Sequence, residues 1–179
     1  MSRLICQLII GCTLLLLGAC SDQGVVNFRI NGISQLSLSN ELLIGANVSP
    51  LDNFLIATKS NDTIHISTLT PSILGFENID LRTFPKYIFG IDKEIPSGPY
   101  GKELTKAIEV HTGIYKTLSN RIITKGMLTL YVASNEKDAV VYITHKQIDD
   151  QITLIHLKSN KINKLVEIIE QGISYDGAK

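Results

Sequence analysis

Cysteine is scarce in this chain, and its three copies, Cys6, Cys12 and Cys20, all lie in the first twenty residues. The remaining sequence therefore has neither a free thiol nor a disulfide, and a hydrophobic core must stabilise its fold. Tryptophan is absent, and proline occurs only five times in 179 residues. The length is enough for one domain with a sizeable core.

An excess of charge of one sign is also missing, with 17 Lys and Arg against 17 Asp and Glu. Nucleic-acid-binding domains and segments that bind anionic lipid by charge are usually strongly basic. The composition therefore predicts no nucleic-acid partner.

The strongest sequence signal is an apolar run from Leu4 to Leu17, which follows Arg3 and ends in Leu17-Gly18-Ala19-Cys20. A spanning helix needs about 20 apolar residues, so this run is short. A basic start and small residues before a cleavage point are typical of a secretory signal peptide, although an uncleaved anchor helix is the alternative. Leu17-Gly18-Ala19-Cys20 resembles the lipobox of bacterial lipoproteins. The resemblance implies cleavage before Cys20 and attachment of lipid, including palmitate, to that residue.

In Gram-negative lipoproteins, the residue after the lipidated cysteine directs sorting between membranes. Here that residue is Ser21, and Asp22 comes one place too late for the inner-membrane pattern. The resemblance therefore implies a lipid anchor in the outer membrane, on its periplasmic face. We expect a signal peptide over residues 1–19, a lipidated cysteine and tether over 20–24 and a single domain over 25–179. The four tether residues span at most about 14 Å.

Most of the mature sequence predicts strands. Asn31-Gly32, between Val25 to Ile30 and Ile33 to Leu38, is a strong hairpin signal. The other predicted strands are Phe54 to Lys59, Thr63 to Leu69, Lys106 to Leu118, Met127 to Ala133, Ala139 to Thr144 and Gln151 to Leu157. Short polar loops between the last three favour an antiparallel meander.

The clearest helix covers Asn160 to Gln171, with Ser159 or Asn160 as the cap and Gly172 at its end. Its apolar stripe is Ile162, Leu165, Val166 and Ile169. The fold class predicted is α+β, a mainly antiparallel sheet with this C-terminal helix packed on one face. Lysines in the first turn and glutamates toward the last oppose the helix dipole, so the helix must depend on packing.

The segment from Pro71 to Gly101 differs from the rest because it contains four of the five prolines and five of the eleven aromatic residues. Pro85 prevents one continuous helix over Leu81 to Phe89. Aromatic residues and arginine in irregular segments often bind partners, whereas the alternative is that the phenylalanines enter the core and only Tyr87 and Tyr100 are exposed. The candidate partner-binding residues are Arg82, Phe84, Tyr87, Phe89 and Tyr100.

Catalytic and metal-binding patterns are not found. The four histidines, His65, His111, His145 and His156, do not pair at ligand spacing, so no metal site is predicted. No nucleophile elbow, phosphate-binding glycine loop or zinc-protease motif occurs. Asp149-Asp150 fits a solvated turn better than a pair of catalytic carboxylates. We expect no enzyme activity and no cofactor.

In its lipobox, short tether and cysteine-free domain, the chain resembles periplasmic toxin-immunity lipoproteins. The resemblance implies a protein-binding inhibitor that blocks the active cleft of a toxin delivered into the periplasm. The alternatives are an accessory lipoprotein of a secretion or envelope-assembly complex, and an enzyme acting on envelope polymers.

Overall fold

The computed structural model describes residues 24–30, 32, 34–50, 54–58, 61–76, 79–115 and 118–175. The predicted signal peptide, Cys20 and most of the tether lie outside these residues. The strands are β1 (Val25–Ile30), β2 (Ser34–Ser39), β3 (Asn47–Pro50), β4 (Phe54–Ala57), β5 (Thr63–Leu69), β6 (Ser119–Lys125), β7 (Leu128–Ser134), β8 (Asp138–His145), β9 (Ile148–Lys158) and β10 (Ile173–Tyr175). The helices are α1 (Asn40–Leu43), α2 (Pro71–Leu74), α3 (Phe84–Ile88), α4 (Pro99–Tyr115) and α5 (Ile162–Gly172).

The strands form two sheets in which the neighbouring strands are antiparallel. The large sheet has seven strands in the order β3-β4-β5-β9-β8-β7-β6. The small sheet has three, in the order β1-β2-β10. With α5 packed on the large sheet, the predicted α+β class is confirmed.

The two faces of the large sheet bury different apolar clusters. Because neighbouring residues of a strand point to opposite faces, Val141 belongs to one cluster and Tyr142 to the other. The first cluster includes the predicted stripe of α5 and residues of the small sheet. The second is covered by the chain between β5 and β6, which contributes α2, α3 and α4. The large sheet is therefore the middle of three layers.

The predicted hairpin is present, because β1 pairs with β2 from Val25↔Ser39 to Ile30↔Ser34. The predicted strands β4 and β5 also pair antiparallel with each other. The meander is confirmed too, since β7 pairs with β8 and β8 with β9. Strands β3, β6 and β10 were not predicted. They are short or exposed edge segments without a clear alternation of buried side chains.

The strand predicted over Lys106 to Leu118 is wrong, because α4 extends from Pro99 to Tyr115. Alternating β-branched residues suggested a strand, but β propensity is weak and depends on context. Leu104, Ala107 and Ile108 follow helical spacing and pack in the second apolar cluster. Pro99 is the first residue of the helix, a position where proline is favoured.

Helix α5 begins two residues later than predicted and buries the four residues of its predicted stripe. Ser159 Oγ accepts the backbone N–H of Lys161 at 2.8 Å, but Lys161 occupies the N-cap position and makes no side-chain cap. Gly172 is the last helical residue. Its closest neighbour is the backbone of β2, where an added Cβ would lie 2.3 Å from the carbonyl oxygen of Ser37. Glycine is therefore required here for the close approach of helix and strand.

Candidate functional site

Three of the five candidate partner-binding residues lie in the core. The exposed fractions of Phe84, Tyr87 and Phe89 are 0%, 9% and 8%. The exposure expected of Tyr87 is therefore wrong, and Tyr100 is only partly buried. Phe84 and Phe89 are buried, which agrees with the alternative that the phenylalanines enter the core.

Edge-to-face contacts hold these rings against the large sheet. Tyr142 of β8 contacts Phe89 and Phe84, with ring centroids 5.6 and 6.3 Å apart. Phe76 contacts Phe84 at 5.9 Å and Tyr100 at 6.4 Å. Such arrangements are favoured by the ring quadrupoles and add to the free energy of burial. Burial raises the pKa of both Tyr87 and Tyr100. The aromatic residues therefore hold the segment on the sheet.

Arg82 has a partner that the sequence did not reveal. Its Nε donates to Asp80 Oδ1 at 2.8 Å and its Nη2 donates to Asp80 Oδ2 at 2.7 Å. The side-chain hydrogen bond from Arg82 lowers the pKa of Asp80. A further bond from Nη1 reaches the carbonyl oxygen of Lys146 at 3.0 Å, in the turn between β8 and β9. Arg82 thus ties its segment to the sheet.

The longest exposed stretch among the described residues of the predicted segment is the loop of residues 90–98, between α3 and α4, which we call the α3–α4 loop. All of its residues except Pro96 are exposed. The exposed fractions of Ile91 and Ile95 are 45% and 41%. Three charged residues, Asp92, Lys93 and Glu94, lie between them. The loop therefore presents one apolar side chain on each side of a charged tip.

Both ends of the α3–α4 loop are fixed to the helices. The backbone N–H groups of Ile91 and Asp92 donate to the carbonyl oxygen of Lys86, at 2.8 and 3.1 Å. At the other end, Gly101 of α4 contacts the carbonyl of Pro96 so closely that a Cβ would lie 1.7 Å from its oxygen. A loop held at its base loses less conformational freedom on binding, which favours affinity.

A second feature is a cleft of about 510 Å³ on the large sheet, on the face that carries the second apolar cluster. Its lining residues are Thr63, His65, Leu118, Asn135, Asp138, Ala139, Val140, Leu154, His156, Leu157 and Lys158. Pairing of β5, β9 and β8 puts Thr63, Lys158 and Asp138 in one row across the sheet. The next row on the same face, two residues further along each strand, contains His65, His156 and Val140.

The four histidines have different surroundings. His65 is half-buried and His156 exposed, both in strands as predicted. His111 lies in α4, so its predicted strand position is wrong. His145 is the last residue of β8 and only 4% exposed. Within the described ranges, no group of three or more His, Cys, Asp or Glu residues is arranged to hold a metal ion.

Sequence reasoning missed the α3–α4 loop as a distinct feature and missed the cleft. The loop could have been found, because two glycines, a proline and three charges cluster within it. The cleft could not, because the register between β5 and β9 joins residues far apart in the chain.

Of the described helices, none is both long and apolar enough to cross a bilayer. Comparison of the sequence with models of known protein families and with curated proteins finds no match.

Proposed function

We propose that this chain is a lipoprotein anchored in the outer membrane on its periplasmic face, where it binds and inhibits a toxin delivered into the periplasm. Its binding element is the α3–α4 loop. The observation that carries the proposal is the exposure of Ile91 and Ile95 on a loop whose two ends are fixed. In this proposal, the loop enters the active cleft of the toxin and blocks it.

The membrane location is supported by the lipobox and by the length of the tether. Only four residues, 21–24, lie between Cys20 and the start of β1 at Val25. Four residues reach about 14 Å at most. A domain with this tether remains next to the bilayer, so its partner must act at or come to the membrane surface.

The binding role is supported by the character of the α3–α4 loop. Irregular segments on a rigid scaffold carry binding residues more often than the scaffold does. Here the scaffold is the large sheet, on which the buried aromatic residues hold α3 and α4. Isolated exposed apolar side chains are common on protein surfaces. Two such side chains on one short, anchored loop are a stronger indication of a contact surface.

The test takes the product of the gene next to this one as the candidate toxin. This product is directed to the periplasm of cells with and without the protein. Replacing Ile91 and Ile95 together by Asp removes the apolar contacts while leaving the core intact. The matched control is Ile73→Asp on α2, since Ile73 is 65% exposed and lies outside the loop. We expect the wild-type chain and the Ile73 variant to protect the cells and to bind the purified toxin. The loop variant should lose both properties.

Two results would contradict the proposal. The first is that cells lacking this gene are unharmed by the toxin. The second is that the loop variant protects as well as the wild-type chain does. Co-purification with subunits of a membrane complex, together with failed assembly after deletion of the gene, would instead support the accessory role.

A further inference from the structure

His65 and His156 lie directly opposite each other on neighbouring strands. Strands β5 and β9 pair in a register in which these two residues are Cα partners. Directly opposite residues in an antiparallel pair have side chains on the same face, a few ångströms apart. Their ring centroids are 6.3 Å apart, and their ring planes are inclined by 43°. Both rings line the cleft.

This separation can be compared with that of two imidazoles bound to one metal ion. With a metal–nitrogen bond of about 2.0–2.1 Å and about 1.1 Å from nitrogen to ring centre, each centroid lies about 3.2 Å from the ion. The centroids of two rings bound to one ion are then about 5.2 Å apart when the nitrogen–metal–nitrogen angle is tetrahedral. They are about 6.4 Å apart when the two rings lie on opposite sides of the ion. The observed 6.3 Å falls within this range, at the end that corresponds to opposite positions.

We infer that His65 and His156 form a two-histidine site for a divalent first-row transition metal ion, with Cu²⁺ favoured. Imidazole is a suitable ligand for Cu²⁺, Ni²⁺ and Zn²⁺, and ligands on opposite sides of the ion suit the tetragonal geometry of Cu²⁺. Affinity for such sites rises from Ni²⁺ to Cu²⁺ and falls again at Zn²⁺. Water completes the coordination, since the described residues place no third His, Cys, Asp or Glu beside the pair.

The charged residues beside the two histidines act on the ion in opposite directions. Lys158, two residues after His156 on the same strand, repels a cation. Asp138 lies opposite Lys158 on β8 and attracts one. Both side chains are exposed, so solvent screens their effects. The two imidazoles therefore determine the affinity.

The test uses the full chain in mild detergent with Cys6, Cys12 and Cys20 replaced by Ser, so that no thiol competes for the metal. Cu²⁺, Ni²⁺ and Zn²⁺ salts are titrated separately by calorimetry, and the Cu²⁺ complex is examined by electron paramagnetic resonance. We expect one equivalent of Cu²⁺ to bind, with two nitrogen ligands in the spectrum. His65→Ala and His156→Ala should each weaken binding by about tenfold or more and remove the two-nitrogen signature.

His111→Ala is the control, because His111 lies on α4 rather than on the large sheet. Circular dichroism checks that each variant folds. If an Ala variant does not fold, nuclear magnetic resonance of the unsubstituted histidines decides, since Zn²⁺ should shift the imidazole signals of His65 and His156 first.

Unchanged Cu²⁺ affinity in the His65 and His156 variants would overturn the inference, and so would failure of all three ions to bind. None of these measurements involves a toxin, so their outcome tests the metal site without testing the proposed inhibitory function.

Discussion

The ammonium group of Lys125 donates a hydrogen bond of 2.7 Å to the main-chain carbonyl oxygen of Glu170, in the last turn of α5. A second bond, of 2.9 Å, reaches the carbonyl of Ile173 just beyond the helix. The end of a helix carries a partial negative charge and unpaired carbonyls. Arg121, also on β6, pairs with the Glu170 carboxylate. Two cations from β6 thus compensate the unfavourable charge order of α5.

Replacing Lys125 by Met should lower the free energy of unfolding by about 1–2 kcal/mol, because the substitution removes charge-assisted hydrogen bonds from a half-buried position. Urea titration measures this change. Lys137→Met, in the exposed turn between β7 and β8, is the matched control and should have little effect. Equal stability of the two variants would show that Lys125 does not stabilise the end of α5.

A peptide of residues 158–174 should be unstructured in water. Lys161 and Lys164 lie at its positive end and Glu167 and Glu170 toward its negative end, and it lacks the cations of β6. Isolated helices of this length are marginal even with favourable sequences. Circular dichroism is the measurement, and a strong helical spectrum would refute the dependence of α5 on the sheet.

Gly172→Ala should destabilise the protein by about 2 kcal/mol, because the added methyl group overlaps the backbone of β2. Helix propensity alone predicts the opposite sign, since alanine is better than glycine by about 1 kcal/mol inside a helix. The difference between Gln171→Gly and Gln171→Ala, at the exposed neighbouring position, gives the effect of propensity without the contact. A stabilising Gly172→Ala substitution would mean that the close approach does not constrain this site.

The stability of the protein should fall as the pH is lowered, in part because of His145. Its ring stacks on Tyr175, with centroids 4.9 Å apart, and its Nδ1 accepts the backbone N–H of Gln147 at 3.1 Å. Burial lowers the pKa of His145 in the folded state. The unfolded chain therefore binds this proton more readily. The contribution is fully present above about pH 6.5, the ordinary value for histidine, and is lost as the pH falls toward the lowered pKa.

His145→Phe keeps an aromatic ring on Tyr175 but cannot be protonated. The difference in unfolding free energy between about pH 8 and about pH 5 should therefore be smaller in this variant than in the wild-type chain. Urea titrations at both pH values measure it. An identical pH dependence in the two proteins would exclude His145 as a contributor.

Cys20→Ser should leave an uncleaved and unlipidated precursor, since the resemblance to a lipobox makes Cys20 the site of both processing steps. Metabolic labelling with a radioactive fatty acid and the mobility of the protein on gels report lipidation and cleavage. Cys12→Ser, within the apolar run, is the control and should be processed normally. Normal processing of the Cys20 variant would overturn the lipobox interpretation.

Local patterns predicted the elements whose signals are strong and nearly independent of context. Asn31-Gly32 marked the first hairpin, and the stripe from Ile162 to Ile169 marked α5. The same reasoning failed for α4, where β-branched residues fit either structure and burial of Leu104 decided between them. It also failed for β6, whose residues are mostly exposed and whose place depends on pairing with β7.

The candidate sites depended still more on tertiary contacts. Composition singled out the aromatic residues of 71–101, but it could not distinguish a ring that packs on Tyr142 from one that faces solvent. Nor could it show that Asp80 binds Arg82 or that β5 and β9 bring two histidines together.

By itself, the sequence determined the α+β class and the absence of cysteine after residue 20, because composition and short-range periodicity are local properties of the chain. Tertiary structure alone decided which aromatic residues are buried and which loop is exposed. It also decided which cations contact the C-terminal end of α5 and which histidines lie opposite each other. Those relations depend on strand order and register, which join residues that are distant in sequence.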